Sequence, residues 1–124
     1  MSYTPQAFGV IHAECASKSN SRRLVPNGKG GVRSIKSKKA LDFVKLFIEA
    51  ASADKPILGP VQVSVRFYYS SRRPDLDAAL FMDALQKANI IANDRQVFDL
   101  HATKYLDAND PRVEWSVRQI PEPT

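Results

Sequence analysis

One run of strict alternation constrains the fold of this chain more than any other feature of the sequence. Residues 61–69 read VQVSVRFYY, with valine or an aromatic residue at every second position. Successive side chains of a β-strand point to opposite faces of a sheet, so this run predicts a strand with one buried face. The residues on that face are Val61, Val63, Val65, Phe67 and Tyr69.

The other elements are expected from local patterns on either side of this strand. Strands are expected at 8–16, 97–106 and 112–120, and helices at 37–52 and 78–89. The last two strands are expected to form an antiparallel hairpin. The sequence therefore predicts an α+β fold, a small mixed or antiparallel sheet packed against two helices. A single domain over residues 1–124 is expected, with 1–7 and 121–124 frayed.

The two helices are expected from apolar residues that recur at three- and four-residue steps. Ser37 is the expected N-cap of the first helix. The apolar stripe of the first helix is Ala40, Leu41, Val44, Phe47, Ile48 and Ala51, and that of the second is Phe81, Ala84, Leu85 and Ala88.

Positive charge is concentrated in the first third of the chain. Residues 15–41 contain eight Lys or Arg residues and no acid, whereas nine of the thirteen acids lie from Asp75 onward. The asymmetry favours a nucleic acid or another phosphate-rich partner, although a solvated loop with surface lysines would have the same composition. Because Asn27-Gly28 and Gly30-Gly31 are turn signals, this segment is expected to be a mobile loop or a short ribbon around a turn.

Several classes of protein are disfavoured by composition. Cys15 is the only cysteine, so the sequence predicts neither an internal disulfide nor a cysteine-based zinc site. The start, MSYTPQAFGVIHAEC, lacks the basic head and apolar run of a signal peptide, and no apolar segment is long enough to span a bilayer. A cytoplasmic protein without a membrane partner is expected.

Two aspartates that follow the central strand are candidate metal ligands. Asp75 and Asp77 come directly after Pro74, which favours an extended chain, so both carboxylates are expected on one side with Leu76 facing the core. Mg²⁺ binds such oxygen clusters, and the loop that contains Asp94 is expected to return to the same sheet edge with a third carboxylate. Alternatively, Asp77 is a helix N-cap and Asp94 an ordinary turn residue.

The combined pattern resembles the RusA-like Holliday junction resolvases, small phage and bacterial endodeoxyribonucleases. Their signature is a basic residue, Asp-x-Asp-Asn, a helix containing Asp-Ala-Leu, and Asp followed by x-Gln-Val. The matching segments are Arg73, Asp75-Leu76-Asp77, Asp83-Ala84-Leu85 and Asp94-Arg95-Gln96-Val97, with a weaker match at Ser19-Asn20-x-Arg22. The resemblance covers about residues 8–120 and is sharp from 72 to 97.

The resemblance implies a metal-dependent homodimer that nicks paired strands of branched, four-way DNA. Asp75, Asp77 and Asp94 take the places of the family's catalytic and metal-binding aspartates, with Mg²⁺ or Mn²⁺ as cofactor. Asp83 and Arg95 are candidates for supporting roles around them. The implied DNA-binding residues are Lys18, Asn20, Arg22, Arg23, Lys29, Arg33, Lys36, Arg72 and Arg73.

The sequence departs from the family pattern at two points, which keep other functions open. Ala78 stands where the family has Asn, and the interval from Asp77 to Asp83 is two residues shorter and lacks the family's lysine. The leading hypothesis is a junction-resolving endonuclease of DNA recombination and repair, in a bacterial or phage setting. The alternatives are a DNA-binding relative with impaired catalysis and a small structural or interaction protein.

Overall fold

The fold was obtained as a computed structural model that describes residues 6–16, 22–26, 28 and 32–122, with only the backbone described for 22–26 and 32–36. The strands are β1 (Ala7–Ile11), β2 (Arg22–Pro26), β3 (Val32–Lys36), β4 (Val61–Tyr69), β5 (Val97–Leu106) and β6 (Arg112–Gln119). The helices are α1 (Lys38–Ala51), α2 (Ala79–Lys87) and a short 3₁₀ helix (Asp94–Gln96). This is the α+β fold expected from the sequence, with two helices and a mixed sheet.

The central strand lies inside the sheet as its alternation predicts. The four-stranded sheet has the order β1-β6-β4-β5, with β4 antiparallel to β6 and parallel to β5. All five residues of its apolar face are buried. A separate two-stranded ribbon, β2-β3, confirms the ribbon alternative for the basic segment.

The expected hairpin between the last two strands is wrong. β6 pairs with β4 and β1, so β4 separates it from β5. The connection crosses the end of β4, where the Asp107 amide donates to the Tyr69 carbonyl at 2.8 Å. In the observed order β4, the strand with the largest apolar face, has a partner on both sides.

The first strand differs from its expected range at both ends. β1 stops at Ile11, whereas the alternation predicted a strand to residue 16. At its start, the Gln6 amide donates to the Val117 carbonyl at 2.9 Å and Ala7 pairs with Val117. Residues 6 and 7 are therefore held by β6, contrary to the expectation that they are frayed.

Both helices cover the same face of the sheet. The Ser37 side chain accepts from the Ala40 amide at 3.2 Å, which confirms the expected N-cap of α1. Phe47 of α1 contacts Phe81 of α2 edge to face and Trp115 of β6, at centroid distances of 5.6 and 5.1 Å. Leu41 is an exception to the expected stripe, since it is 52% exposed.

Gln96 joins the segments that precede β4 and β5. Its side-chain oxygen accepts from the Ala92 and Asn93 amides at 2.7 and 3.0 Å. Its side-chain nitrogen donates to the Ile57 and Gly59 carbonyls at 2.7 and 2.9 Å. The glutamine of the Asp-x-Gln-Val motif therefore fixes how β4 and β5 begin side by side.

We expect Gln96→Ala to lower the free energy of unfolding by about 2 kcal/mol, because backbone groups would lose partners that water replaces incompletely. The measurement is urea denaturation followed by circular dichroism. The control is Arg95→Ala at the exposed neighbouring position, which should change stability by less than about 0.5 kcal/mol. Equal effects of the two substitutions would contradict this structural role of Gln96.

Candidate functional site

The loop after β4 lies where several element ends meet. β1 and β4 are both antiparallel to β6, so they run in the same direction and end on the same side of the sheet. Glu14, just beyond β1, accepts from the amide and hydroxyl of Ser70, both at 2.6 Å. Lys39, in the first turn of α1, donates to Glu14 at 3.3 Å. These contacts tie β1, β4 and α1 together at the start of the loop of residues 70–78, which we call the aspartate loop.

Asp77 has one used and one unused carboxylate oxygen. Its Oδ1 accepts from the Ala79 amide at 2.9 Å, so the side chain bonds the first amide of α2, although the N-cap residue is Ala78 and not Asp77. Its Oδ2 is buried, and no donor among the described residues reaches it. A buried carboxylate oxygen without a partner is costly, and a hard cation is a partner that would offset this cost. The bond to Ala79 thus leaves one oxygen available as a metal ligand.

Asp75 is exposed, two residues before Asp77. Leu76 between them is 47% exposed, so the expectation that it faces the core is wrong. The core beside this loop is filled by Leu80 and Phe81 from the first turns of α2. The two aspartates of this loop therefore differ: Asp75 is exposed, whereas Asp77 has a buried oxygen that no described donor reaches.

The third aspartate lies at the other end of the molecule within one chain. β4 pairs in parallel with β5, from Val61 with Val97 to Tyr69 with Leu106, so Asp94 precedes the strand end opposite to the one that Asp75 follows. At 3.3 Å per residue, these strand ends are about 26 Å apart.

The expectation that the Asp94 loop returns to the edge of Asp75 and Asp77 is therefore wrong for a single chain. The Asp94 amide is bonded to Gln86 near the end of α2, whereas Asp77 is bonded to its start, about 10 Å away along the helix. Across the described parts of the chain, no group of three or more His, Cys, Asp or Glu side chains is arranged to hold a metal ion.

Lys104 is a feature of the site that the sequence patterns did not reveal. Its ammonium group donates to the Arg72 carbonyl at 2.7 Å and to the Pro74 carbonyl at 2.5 Å. It occupies the apolar side of β5, in a row with Leu100, Ala102 and Leu106. A lysine at a position where the alternation calls for an apolar residue was the signal that could have identified it.

The expected DNA-binding residues fall into three groups. Arg72 and Arg73 are exposed in the aspartate loop. Four others lie on the described backbone of the ribbon, where Arg22 pairs with Lys36. Those ribbon residues are Arg22, Arg23, Arg33 and Lys36. Lys18, Asn20 and Lys29 lie outside the described residues.

The ribbon is linked to the aspartate loop through the start of α1. β3 ends at Lys36, next to Ser37 at the start of α1, and Lys39 one turn later contacts Glu14.

Of the two residues expected to support the aspartates, Asp83 forms an ion pair with Lys87 at 3.4 Å and Arg95 is exposed beside Asp94.

A family model described as endodeoxyribonuclease RusA matches residues 16–118. The chain belongs to the RusA endodeoxyribonuclease family. Membership indicates an endodeoxyribonuclease of the kind that resolves Holliday junctions. No curated protein matches the chain. None of the helices in the described part is long and apolar enough to cross a bilayer.

Glu14, which contacts Ser70 at the start of the aspartate loop, is held in its charged form in this RusA-family chain. Partial burial raises the pKa of Glu14, but the bonds from Ser70 and Lys39 outweigh burial and leave its pKa below the usual value. Burial, together with the negative charge of Asp77, raises the pKa of the Cys15 thiol. Cys15 is therefore a neutral core residue beside the site.

We expect Glu14→Gln to destabilise the RusA-family fold at neutral pH by less than about 1 kcal/mol, since the group is partly exposed. A carboxyl with a lowered folded-state pKa stabilises the protein above its unfolded pKa, about 4.3 for Glu. That stabilisation is lost as the pH falls through the folded-state value. The melting-temperature difference between the two proteins should therefore shrink from pH 7 to pH 3, and a constant difference would contradict it.

Proposed function

We propose that this chain is a divalent-metal-dependent, structure-selective endonuclease that nicks paired strands of four-way DNA junctions during recombination and repair. The observation that carries the proposal is the buried, unpartnered Oδ2 of Asp77, in a loop with Asp75 and two exposed arginines, within a RusA-family chain. The proposed setting is the cytoplasm of a bacterium, with the protein encoded by the cell or by a phage.

Asp75 and Asp77 are the proposed metal ligands of one chain. Their hard carboxylate oxygens fit Mg²⁺ or Mn²⁺, which in proteins bind one or two carboxylates together with water and substrate phosphate. When bound, such an ion polarises a phosphodiester and lowers the pKa of the water that attacks it. Arg72 and Arg73 hold backbone phosphates beside the carboxylates and position the DNA without reading its sequence.

A second copy of the chain is the proposed source of Asp94. The opposite ends of β4 and α2 separate this residue from Asp75 and Asp77 in one chain. Ligands of one Mg²⁺ ion lie about 2.1 Å from it, so a separation of about 10 Å or more excludes a shared ion within the chain. A site that uses all three aspartates therefore requires two chains.

The edge of the sheet offers a surface for this second copy. β5 is an edge strand, and Phe98, Leu100 and Leu106 on it are 56, 40 and 50% exposed. A long edge strand with exposed apolar residues pairs readily with another strand. Antiparallel pairing of β5 with its copy would bring Asp94 of one chain beside the Lys104 end of the other, where the aspartate loop lies.

Mixing two inactive variants tests whether the aspartates act across chains. Asp75→Asn and Asp94→Asn should each abolish nicking of a labelled four-way junction in Mg²⁺ or Mn²⁺. If Asp94 acts in the partner, a mixed dimer has one site with both substitutions and one intact site. Nicking should therefore return when the two variants are refolded together.

Controls distinguish loss of nicking from loss of folding and from loss of DNA binding. Asp77→Asn keeps an oxygen for the Ala79 amide, so it should preserve the melting temperature while it abolishes nicking. Junction binding in EDTA should persist in all three variants. No nicking by the mixture, with each variant folded and dimeric, would refute the two-chain site. Wild-type binding without nicking in any divalent ion would instead indicate the impaired relative, in line with Ala78 and the missing family lysine.

The phosphate contacts make a separate prediction about salt. Arg72→Ala and Arg73→Ala should each weaken junction binding and reduce the slope of log affinity against log salt by about 0.9, the value for one phosphate contact. The measurement is fluorescence anisotropy in EDTA at several salt concentrations. Lys55→Ala is the control, because Lys55 is exposed in the turn beside the end of α2, away from this loop. An unchanged slope for both arginine variants would show that they do not contact DNA.

A further inference from the structure

Lys104 is a charged residue on the helix-covered side of the sheet. It pairs with Phe67 in the parallel register and continues the row of Leu100 and Ala102 along β5. Its side chain is partly buried, and an ammonium group removed from water loses hydration that only strong hydrogen bonds restore. A leucine at this position would pack against the same neighbours without that cost, so packing does not account for a lysine here.

Both observed bonds of the ammonium group go to the loop that carries the aspartates. The acceptors are the Arg72 and Pro74 carbonyls, at 2.7 and 2.5 Å. Two carbonyls on alternate residues that point at one nitrogen curve the backbone around it. Pro74 has no amide hydrogen, so this stretch has one fewer backbone donor for pairing with a neighbouring strand. The lysine replaces strand pairing as the restraint on the residues just before Asp75.

The loop is also held on its other side. Ser70 is bonded to Glu14 beyond β1, and Asp77 is bonded to the first amide of α2. Glu14 and Lys104 approach from opposite flanks of β4, since β5 lies on one side and β6 with β1 on the other. The segment from Arg72 to Pro74 has Lys104 as its only side-chain partner from another element, among the contacts of the described residues.

We infer that Lys104 is a positioning residue that sets the backbone before Asp75 and so determines how well the aspartate pair binds a divalent cation. The inference rests on the proposed function. Lys104 acts through the Arg72 and Pro74 carbonyls and does not itself hold phosphate or metal. Residues that orient metal ligands typically change metal affinity 10- to 100-fold when they are replaced.

The test is a titration of Mn²⁺ followed by electron paramagnetic resonance, with wild-type protein, Lys104→Met and Lys104→Arg. Met keeps most of the stem but has no donors, so we expect Mn²⁺ to bind about 10-fold more weakly. Arg keeps the charge and several donors, and it should lose less affinity than Met. Lys55→Met is the matched control and should bind Mn²⁺ as the wild type does. If Lys104→Met does not fold, Lys104→Leu, which also has no donors, is measured in its place, with the same expectation.

Two further measurements separate positioning from a direct role. Junction binding in EDTA should weaken less than it does in Arg72→Ala, because Lys104 holds only the backbone of this segment and not phosphate. The Mn²⁺ concentration for half-maximal nicking should rise with the dissociation constant. Unchanged Mn²⁺ affinity in a folded variant overturns the inference, as does weaker junction binding with normal Mn²⁺ affinity. If wild type itself neither binds Mn²⁺ nor nicks junctions, the proposed function fails instead.

Discussion

The parallel pairing of β4 with β5 determines which parts of this molecule meet. Parallel strands place their starts at one end of a sheet and their finishes at the other, and here the register continues from Val61 with Val97 to Tyr69 with Leu106. The residues after β4 therefore lie beside the last residues of β5, and for this reason Lys104 reaches the aspartate loop. The same pairing keeps the Asp94–Gln96 helix at the far end, where Gln96 binds the segment before β4.

Local patterns predicted most elements of the fold because their causes are local. The alternation of β4 and the Ser37 cap of α1 depend on neighbours a few residues away, and both appear in the structure as expected. The partner of β6 depends on which arrangement buries β4, and that is decided by the whole sheet. A short connection between β5 and β6 was compatible with a hairpin, but in the sheet β4 lies between these two strands.

The site was predictable in its residue types but not in its arrangement. Asp75 and Asp77 could be chosen as candidates because they follow the most regular strand pattern of the sequence, and Asp77 bonds the first amide of α2 through only one of its two oxygens. The position of Asp94 could not be derived, because it depends on the direction of β5 relative to β4. Glu14 and Lys104 were missed since each is a single charged residue in an otherwise ordinary stretch, and their partners are distant in sequence.

The distance between Asp94 and the Asp75–Asp77 pair has a kinetic consequence if all three serve one ion. An isolated chain would then have an incomplete site and would not cleave DNA even when bound to it. In dilute solution, cutting would then rise with the square of protein concentration until the paired form dominates. In a cell that makes few copies, the protein would then be mostly monomeric and inactive without any inhibitor. A junction that binds two chains would bring them together and so activate cleavage.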